Sequence, residues 1–144
     1  MPTGARVDPY RSFNFLVEID GITQAGFQEV SGLDASTDST DYREGSDPNH
    51  VRKLTGLNKY SAITLKRGIT DSDELWKWRA TAIDGKTQRK NGSIILLDEA
   101  GQEKLRWNFF NAWPSKWTGP SFNSTSTAVA VETLEITHEE VKKA

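Results

Sequence analysis

Apolar and polar residues alternate strictly near the start of the chain, with Phe13, Phe15, Val17 and Ile19 on one side and Ser12, Asn14, Leu16 and Glu18 on the other. A period of two sends successive side chains to opposite faces, so this segment reads as a strand with one buried face. The same period returns from Tyr60, where Ile63 and Leu65 oppose Thr64 and Lys66 as far as Gly68. It recurs in Leu105, Trp107 and Phe109, and less cleanly from Ala128 to Thr137. Only one stretch changes to helical spacing. Asp71 with Glu74 three residues on is a capping-box spacing, Leu75, Trp78, Ala82 and Ile83 follow, and Gly85 closes a helix of about three turns. Many strands with one helix predict an α+β, mainly β, chain: two packed antiparallel sheets forming a sandwich or small barrel with one flanking helix.

Turn signals divide the strands. Asp20-Gly21 predicts a two-residue hairpin into a second strand from Gln24 to Val30, and Ala100-Gly101 another between Ser93–Asp98 and Lys104–Phe110. Asn91-Gly92 is a further turn signal after the basic stretch Lys86 to Lys90. Asp34 to Glu44 is rich in Ser, Thr and Asp and has no apolar stripe, so it reads by default as a loop; a strand exposed on both faces, waiting for another chain, is the alternative. Ser46 to Gly56 reads as a long exposed loop, and Asn111 to Ser126, with Trp113, Pro114, Trp117, Gly119 and Pro120, as an aromatic one.

The length of 144 residues fits a single domain, 1–144, able to bury a core without metal or disulfide staples. The chain contains no cysteine, which removes every thiolate site, catalytic or metal-binding. Its net charge of -2 is not that of a polycation built to coat nucleic acid. The five Trp, six Phe and three Tyr supply bulky anchors that argue against disorder. No apolar run approaches the roughly 18 residues of a membrane span. Met1 to Arg11 lacks the apolar stretch of a signal peptide, so synthesis in the cytoplasm is expected.

Enzyme motifs are missing: no glycine-rich dinucleotide or phosphate loop, no nucleophile elbow, no H-E-x-x-H. His50 and His138 lie 88 positions apart and read as solvated side chains. The pairs Asp71 with Asp73 and Glu139 with Glu140 are explained by a helix start and a solvated tail. Asn91-Gly-Ser and Asn123-Ser-Thr match the glycosylation pattern without a secretion signal beside them. Trp76, Trp78, Trp107, Trp113 and Trp117 allow an aromatic platform for sugar or single strands, although Trp78 and Trp107 lie on apolar faces and read as core. Neither catalysis nor a cofactor or metal is expected.

Charge is distributed in blocks. Residues 34–48 hold Asp34, Asp38, Asp41, Glu44 and Asp47 against Arg43, a balance of -4, and residues 49–67 hold Arg52, Lys53, Lys59, Lys66 and Arg67 with no acid, a balance of +5. The blocks either pair within one subunit or meet the opposite block of a neighbouring copy, a heterologous contact that generates rings or filaments.

Several segments together resemble the tail tube proteins of contractile phage tails and extracellular contractile injection systems. They are Asp8 to Phe15, Gly26 to Leu33, Tyr42 to Gly45, Arg52 to Leu54 with Gly56, Ile63 to Gly68, Trp76 with Trp78, and Val131 to Glu139. The resemblance implies a sandwich or barrel-like subunit assembled into six-fold rings that stack into a hollow tube, a conduit for DNA or protein cargo. It implies as partners further copies of the chain, an outer sheath, a baseplate and a cap or terminator, in a phage tail or tail-like particle. It makes Asp34 to Glu44 a strand completed by a neighbour. Asp38, Asp41, Tyr42, Arg43, Glu44, Gly45, Asp47, Arg52, Lys53, Leu54 and Gly56 become candidates for contacts between subunits and rings. The ring protein of type VI secretion is the alternative of similar fold, and a Trp-rich carbohydrate-binding module the alternative from another class.

Overall fold

The computed structural model describes residues 14–20 and 26–144. Within them the chain order is β1 (Phe15–Ile19), β2 (Phe27–Ser31), β3 (Ala35–Tyr42), β4 (Arg52–Tyr60), β5 (Ile63–Gly68), α1 (Glu74–Ile83), β6 (Lys90–Leu97), β7 (Glu103–Thr118), β8 (Val131–Thr137) and β9 (Glu140–Lys143). All pairings are antiparallel. Seven strands follow the path β1-β6-β7-β8-β5-β2, with β9 added to β7, while β3 and β4 form a separate two-stranded ribbon.

Strand β7 joins two layers. Its first part, Glu103 to Ala112, pairs with β6 and carries β9 on its other edge; its last part, Trp113 to Thr118, pairs with β8. Asn111, at the junction, has φ 54°, a left-handed conformation that short polar Asn tolerates better than most residues. The layers share one core. Val17, Ile19, Ile94 and Phe109 come from one, Ile63, Leu65, Leu134 and Ile136 from the other, and Leu75 and Trp78 from α1. Burying each such side chain contributes roughly 1.5–3 kcal/mol, which holds the layers and the helix together. The arrangement is the mainly β, one-helix architecture expected, with its sheets not closed into a barrel.

Several local expectations are corrected. The strand at Phe15 to Ile19 forms, with Val17 and Ile19 buried, but it pairs with β6 rather than with its successor, and β2 pairs with β5 at the far end of the path. Phe13 and the expected turn at Gly21 lie outside the described residues. Asn91-Gly92 is not a turn but part of β6. A side chain at Gly92 would collide with the Glu18 carbonyl and the Phe109 ring, so glycine stands there for close approach rather than for bending. The aromatic segment after Asn111 continues β7 to Thr118, and the expected solvated tail is β9, whose Glu140 to Lys143 run beside Phe110 to Trp107. The cap of α1 is Asp73, not Asp71, and its side chain makes no capping bond; Ile83 is exposed.

His138 is buried rather than solvated. Its Nε2 lies 2.8 Å from the Ser61 carbonyl oxygen, and its ring packs near Tyr60 and Phe109. Lying between β8 and β9 on the core side of Leu134 and Ile136, it packs the base of the β3–β4 ribbon against the sandwich.

Candidate assembly interface

Asp34 to Glu44, a loop by its composition, contains β3, and the second expected loop runs into the first half of β4. The two strands pair from Ala35 opposite Tyr60 to Tyr42 opposite Arg52. Every residue of the ribbon is exposed except Tyr60 at its base. Weak strand formers such as Ser and Asp hold this geometry through cross-strand partners. Thr37 Oγ1 donates to Asn58 Oδ1 at 2.7 Å, Lys59 Nζ lies 3.1 Å from Asp38 Oδ2, and Lys53 pairs with Asp41 opposite it. A bulge faces Asp38 with both Gly56 and Leu57, and a Cβ on Gly56 would press on the Asp38 carbonyl oxygen at 3.0 Å.

The connection from Arg43 to Val51 is tied as firmly. Asp47, whose side chain is only 6% exposed, accepts from Arg52 Nη2 at 2.6 Å and from the Glu44 amide at 2.8 Å. Arg43 Nη2 donates to the carbonyls of Asp47 and Pro48, and the Tyr42 hydroxyl donates to Glu44. Acidic and basic blocks thus pair within one subunit, the first of the two readings their sequence allowed. All the candidates named from sequence, Asp38, Asp41, Tyr42, Arg43, Glu44, Gly45, Asp47, Arg52, Lys53, Leu54 and Gly56, fall together on this ribbon and its tip. Sequence reasoning missed Thr37, Ser39, Thr55, Leu57 and Asn58, because alternation is hard to read when neither face has an apolar core to contact.

A ribbon of two strands wet on both faces is marginally stable alone, and its outer edges carry unpaired backbone groups. This surface is therefore the part of the subunit least complete by itself.

Outside the ribbon, Phe122 and Val129 are the most exposed large apolar side chains among the described residues. Trp78, Trp107, Trp113 and Trp117 are buried or half-buried, Trp78 donating Nε1 to the Gln88 carbonyl at 2.8 Å, so the tryptophans form no common platform. Exposed Trp76 leans edge-on against Trp117 at 4.9 Å between centroids. Buried Arg67 donates Nε to Glu132 at 2.5 Å and Nη2 to the Ser72 carbonyl at 3.3 Å, while Trp117 Nε1 donates to the other Glu132 oxygen. This network joins β5, β7 and β8 to the entry of α1. Arg67 and Glu132 are 65 positions apart, and nothing in their spacing signals the pair. Among the described residues no group of three or more His, Asp or Glu is placed to hold a metal ion.

The profile of the family described as T4-like virus tail tube protein gp19 matches residues 11–142, nearly the whole chain. The chain belongs to that family. As a tail tube protein it is most usefully compared with solved injection machines. A chain in the cryo-EM structure of an extracellular contractile injection system, the PVC sheath-tube complex in its extended state, is 31% identical over 94% of this chain and 91% of that one, with a TM-score of 0.85. A chain in the cryo-EM structure of the anti-feeding prophage cap, a tube-terminating cap, is 30% identical over 99% of this chain and 95% of that one, also with a TM-score of 0.85. Hcp1 from Flavobacterium johnsoniae shares the fold more loosely, at 19% identity over 89% of this chain and 94% of that one, with a TM-score of 0.51. No curated protein matches the chain at a significant level. This tail tube protein is thus a structural tube component of the contractile-injection kind, and the looser Hcp likeness favours the type VI alternative less.

Proposed function

We propose that this tail tube protein assembles into six-fold rings that stack into a hollow conduit, through which DNA or protein cargo passes when an outer sheath contracts. The observation that carries the reading is the β3–β4 ribbon, exposed on both faces and both edges, in a chain belonging to a tube family. The ribbon and its tip hold Asp38, Asp41, Tyr42, Arg43, Glu44, Gly45, Asp47, Arg52, Lys53, Leu54 and Gly56, which meet the neighbouring subunit and the next ring. The sheath, a baseplate and a terminator are its further partners, in keeping with the sheath-tube and cap complexes that contain its relatives. The assembly belongs to a phage tail or tail-like particle, and the subunit turns over no substrate.

Electron microscopy of the purified protein tests this directly. Rings or tubes with a central bore are expected; a protein that stays monomeric over a wide concentration range overturns the reading. Hydrolytic or redox turnover that follows the pure protein through purification would overturn the passive role.

A further inference from the structure

Phe122 and Val129 lie on the β7–β8 connection, 87% and 76% exposed. From Trp117 to Val131 the chain carries no charged side chain, although charged residues make up 26% of the whole. The connection is braced from within. The Thr125 amide and hydroxyl donate to Asn123 Oδ1 at 3.0 and 2.8 Å, the Ser126 amide to the Asn123 carbonyl at 3.0 Å, and the Ala128 amide to Ser126 Oγ at 3.1 Å. An aromatic ring kept in water by a braced connection is a ready knob, because little ordering entropy remains to be lost on contact.

A matching hole opens on the same molecule. Phe15, Val30, Leu33, Leu96 and Trp107 line a cleft of about 450 Å³ between the two layers, roomy enough for an aromatic side chain. Its one charged lining residue, Glu29, is paired with Lys66 at 3.6 Å. Knob and hole lie at opposite ends of β5. Phe122 and Val129 share a hollow with Val131, which pairs with Gly68, the last residue of that strand, and the Ile69 amide donates to the Ala130 carbonyl at 2.9 Å. Leu33 follows Gly32, where a Cβ would collide with the carbonyl of Ala62, just before the first residue of the strand, Ile63. Five steps of roughly 3.3 Å set these ends about 16 Å apart, so a copy does not seat Phe122 in its own cleft.

Resting on the ring-and-tube reading above, we propose that the β7–β8 connection of one copy inserts Phe122 into the cleft between the layers of the next copy, with Val129 packing on its rim. Charge and placement select a second copy as the occupant. Both surfaces are uncharged or self-paired, so an acidic or basic partner finds no free counter-charge, whereas apolar knob and apolar cleft gain from each other. Because they sit at opposite ends of the sandwich, the contact is heterologous: each copy offers a knob to one neighbour and a hole to another, and the contact repeats from copy to copy.

The absence of native cysteine lets a disulfide report the contact. Ser121→Cys, beside the knob, and Gln28→Cys, on the rim of the cleft, are exposed positions that leave Phe122 in place. The two single variants are mixed, assembled and oxidised. A linked pair with one copy of each is expected in tubes and not in unassembled protein. Adding Phe122→Asp to the Ser121→Cys chain should cut the yield of linked pairs at least about tenfold, since a carboxylate enters an apolar cleft only by shedding its hydration. Phe122→Leu should keep most of it. Both substitutions fall on an exposed connection, and circular dichroism checks that the subunit stays folded. Tubes that form without the mixed link, or in which the Phe122→Asp chain links as well as its parent, overturn the knob-and-cleft contact alone. A chain carrying both cysteines that closes its own disulfide while unassembled assigns the cleft to its own connection and overturns the second copy. Slowed alkylation of Gln28→Cys in tubes without any link to Ser121→Cys gives the cleft another occupant and overturns it likewise. A failure to form rings or tubes overturns the tube reading, and this contact with it.

Discussion

Asp41 and Lys53 stand directly opposite one another on β3 and β4, with their charged groups in contact. Both are well exposed, so the pair contributes only about 0–1 kcal/mol to the subunit. Reversing Arg52 and Lys53 together, Arg52→Glu with Lys53→Glu, is expected to shorten tubes sharply while leaving each subunit folded. The reversal sets like charges against Asp47 and Asp41 in every ribbon, and at about 0.5 kcal/mol per clash six copies in a six-fold ring would sum to roughly 3 kcal/mol per ring if they act independently. Tube length by electron microscopy is the measurement, with circular dichroism as the folding control. Tubes of undiminished length from a folded variant would confine these ions to pairing inside their own ribbon.

Residues 34–44 should gain amide protection on assembly. In the subunit, β3 has a strand partner on one edge only, and both of its faces are wet. Backbone groups left to solvent exchange readily, and those paired or covered in a ring do not. Equal exchange in unassembled protein and in tubes would mean that β3 takes no strand or cover from a neighbour.

The buried Arg67–Glu132 pair makes a prediction about stability rather than assembly. Removing one member leaves a charge without its partner in a site where both side chains are less than a tenth exposed. Glu132→Ala should therefore cost about 3–5 kcal/mol in urea unfolding. Replacing both members with apolar residues, Arg67→Met with Glu132→Leu, should cost clearly less, because no charge is then stranded. A double variant as unstable as Glu132→Ala would show that hydrogen bonds to Ser72 and Trp117, rather than charge pairing, hold this site.

Asp98 closes the turn between β6 and β7. The Gln102 amide, together with the Ala100 amide and the charge of Lys104, holds its carboxyl below the ordinary aspartate range. A depressed carboxyl favours the folded turn above its unfolded titration point, and that contribution disappears as pH falls through the folded one. Asp98 should accordingly titrate below an unstructured aspartate by NMR, and Asp98→Asn should remove the acid-side loss of protection at the Ala100 and Gln102 amides. An ordinary titration point would dismiss the turn as the cause.

Much of the sandwich follows from the sequence alone. The buried faces of Val17 with Ile19, Ile63 with Leu65 and Leu134 with Ile136, and the helix carrying Leu75 and Trp78, all follow from period, because a side chain's face depends on its spacing along one element. The segments resembling tail tube proteins also point to Asp38 to Gly56 as the proposed assembly surface, and these residues share one ribbon and its tip. What spacing does not encode is which strands meet. β1 and β2 separate to opposite ends of the sheet path although Asp20-Gly21 favours a hairpin, because each finds a better apolar partner far along the chain. Gly92 reads as a turn until the Phe109 ring is seen against it, and Arg67 reads as one more surface cation until Glu132 and Trp117 close around it. β3 is the plainest instance. Its Ser, Thr and Asp residues bury nothing, so no periodic signal marks them; β4 makes them a strand through cross-strand hydrogen bonds and ion pairs. Sequence determines which residues can be buried and which segments resemble a known assembly, whereas strand pairing is a contest among distant segments for shared backbone bonds and core volume, settled only when the whole chain packs.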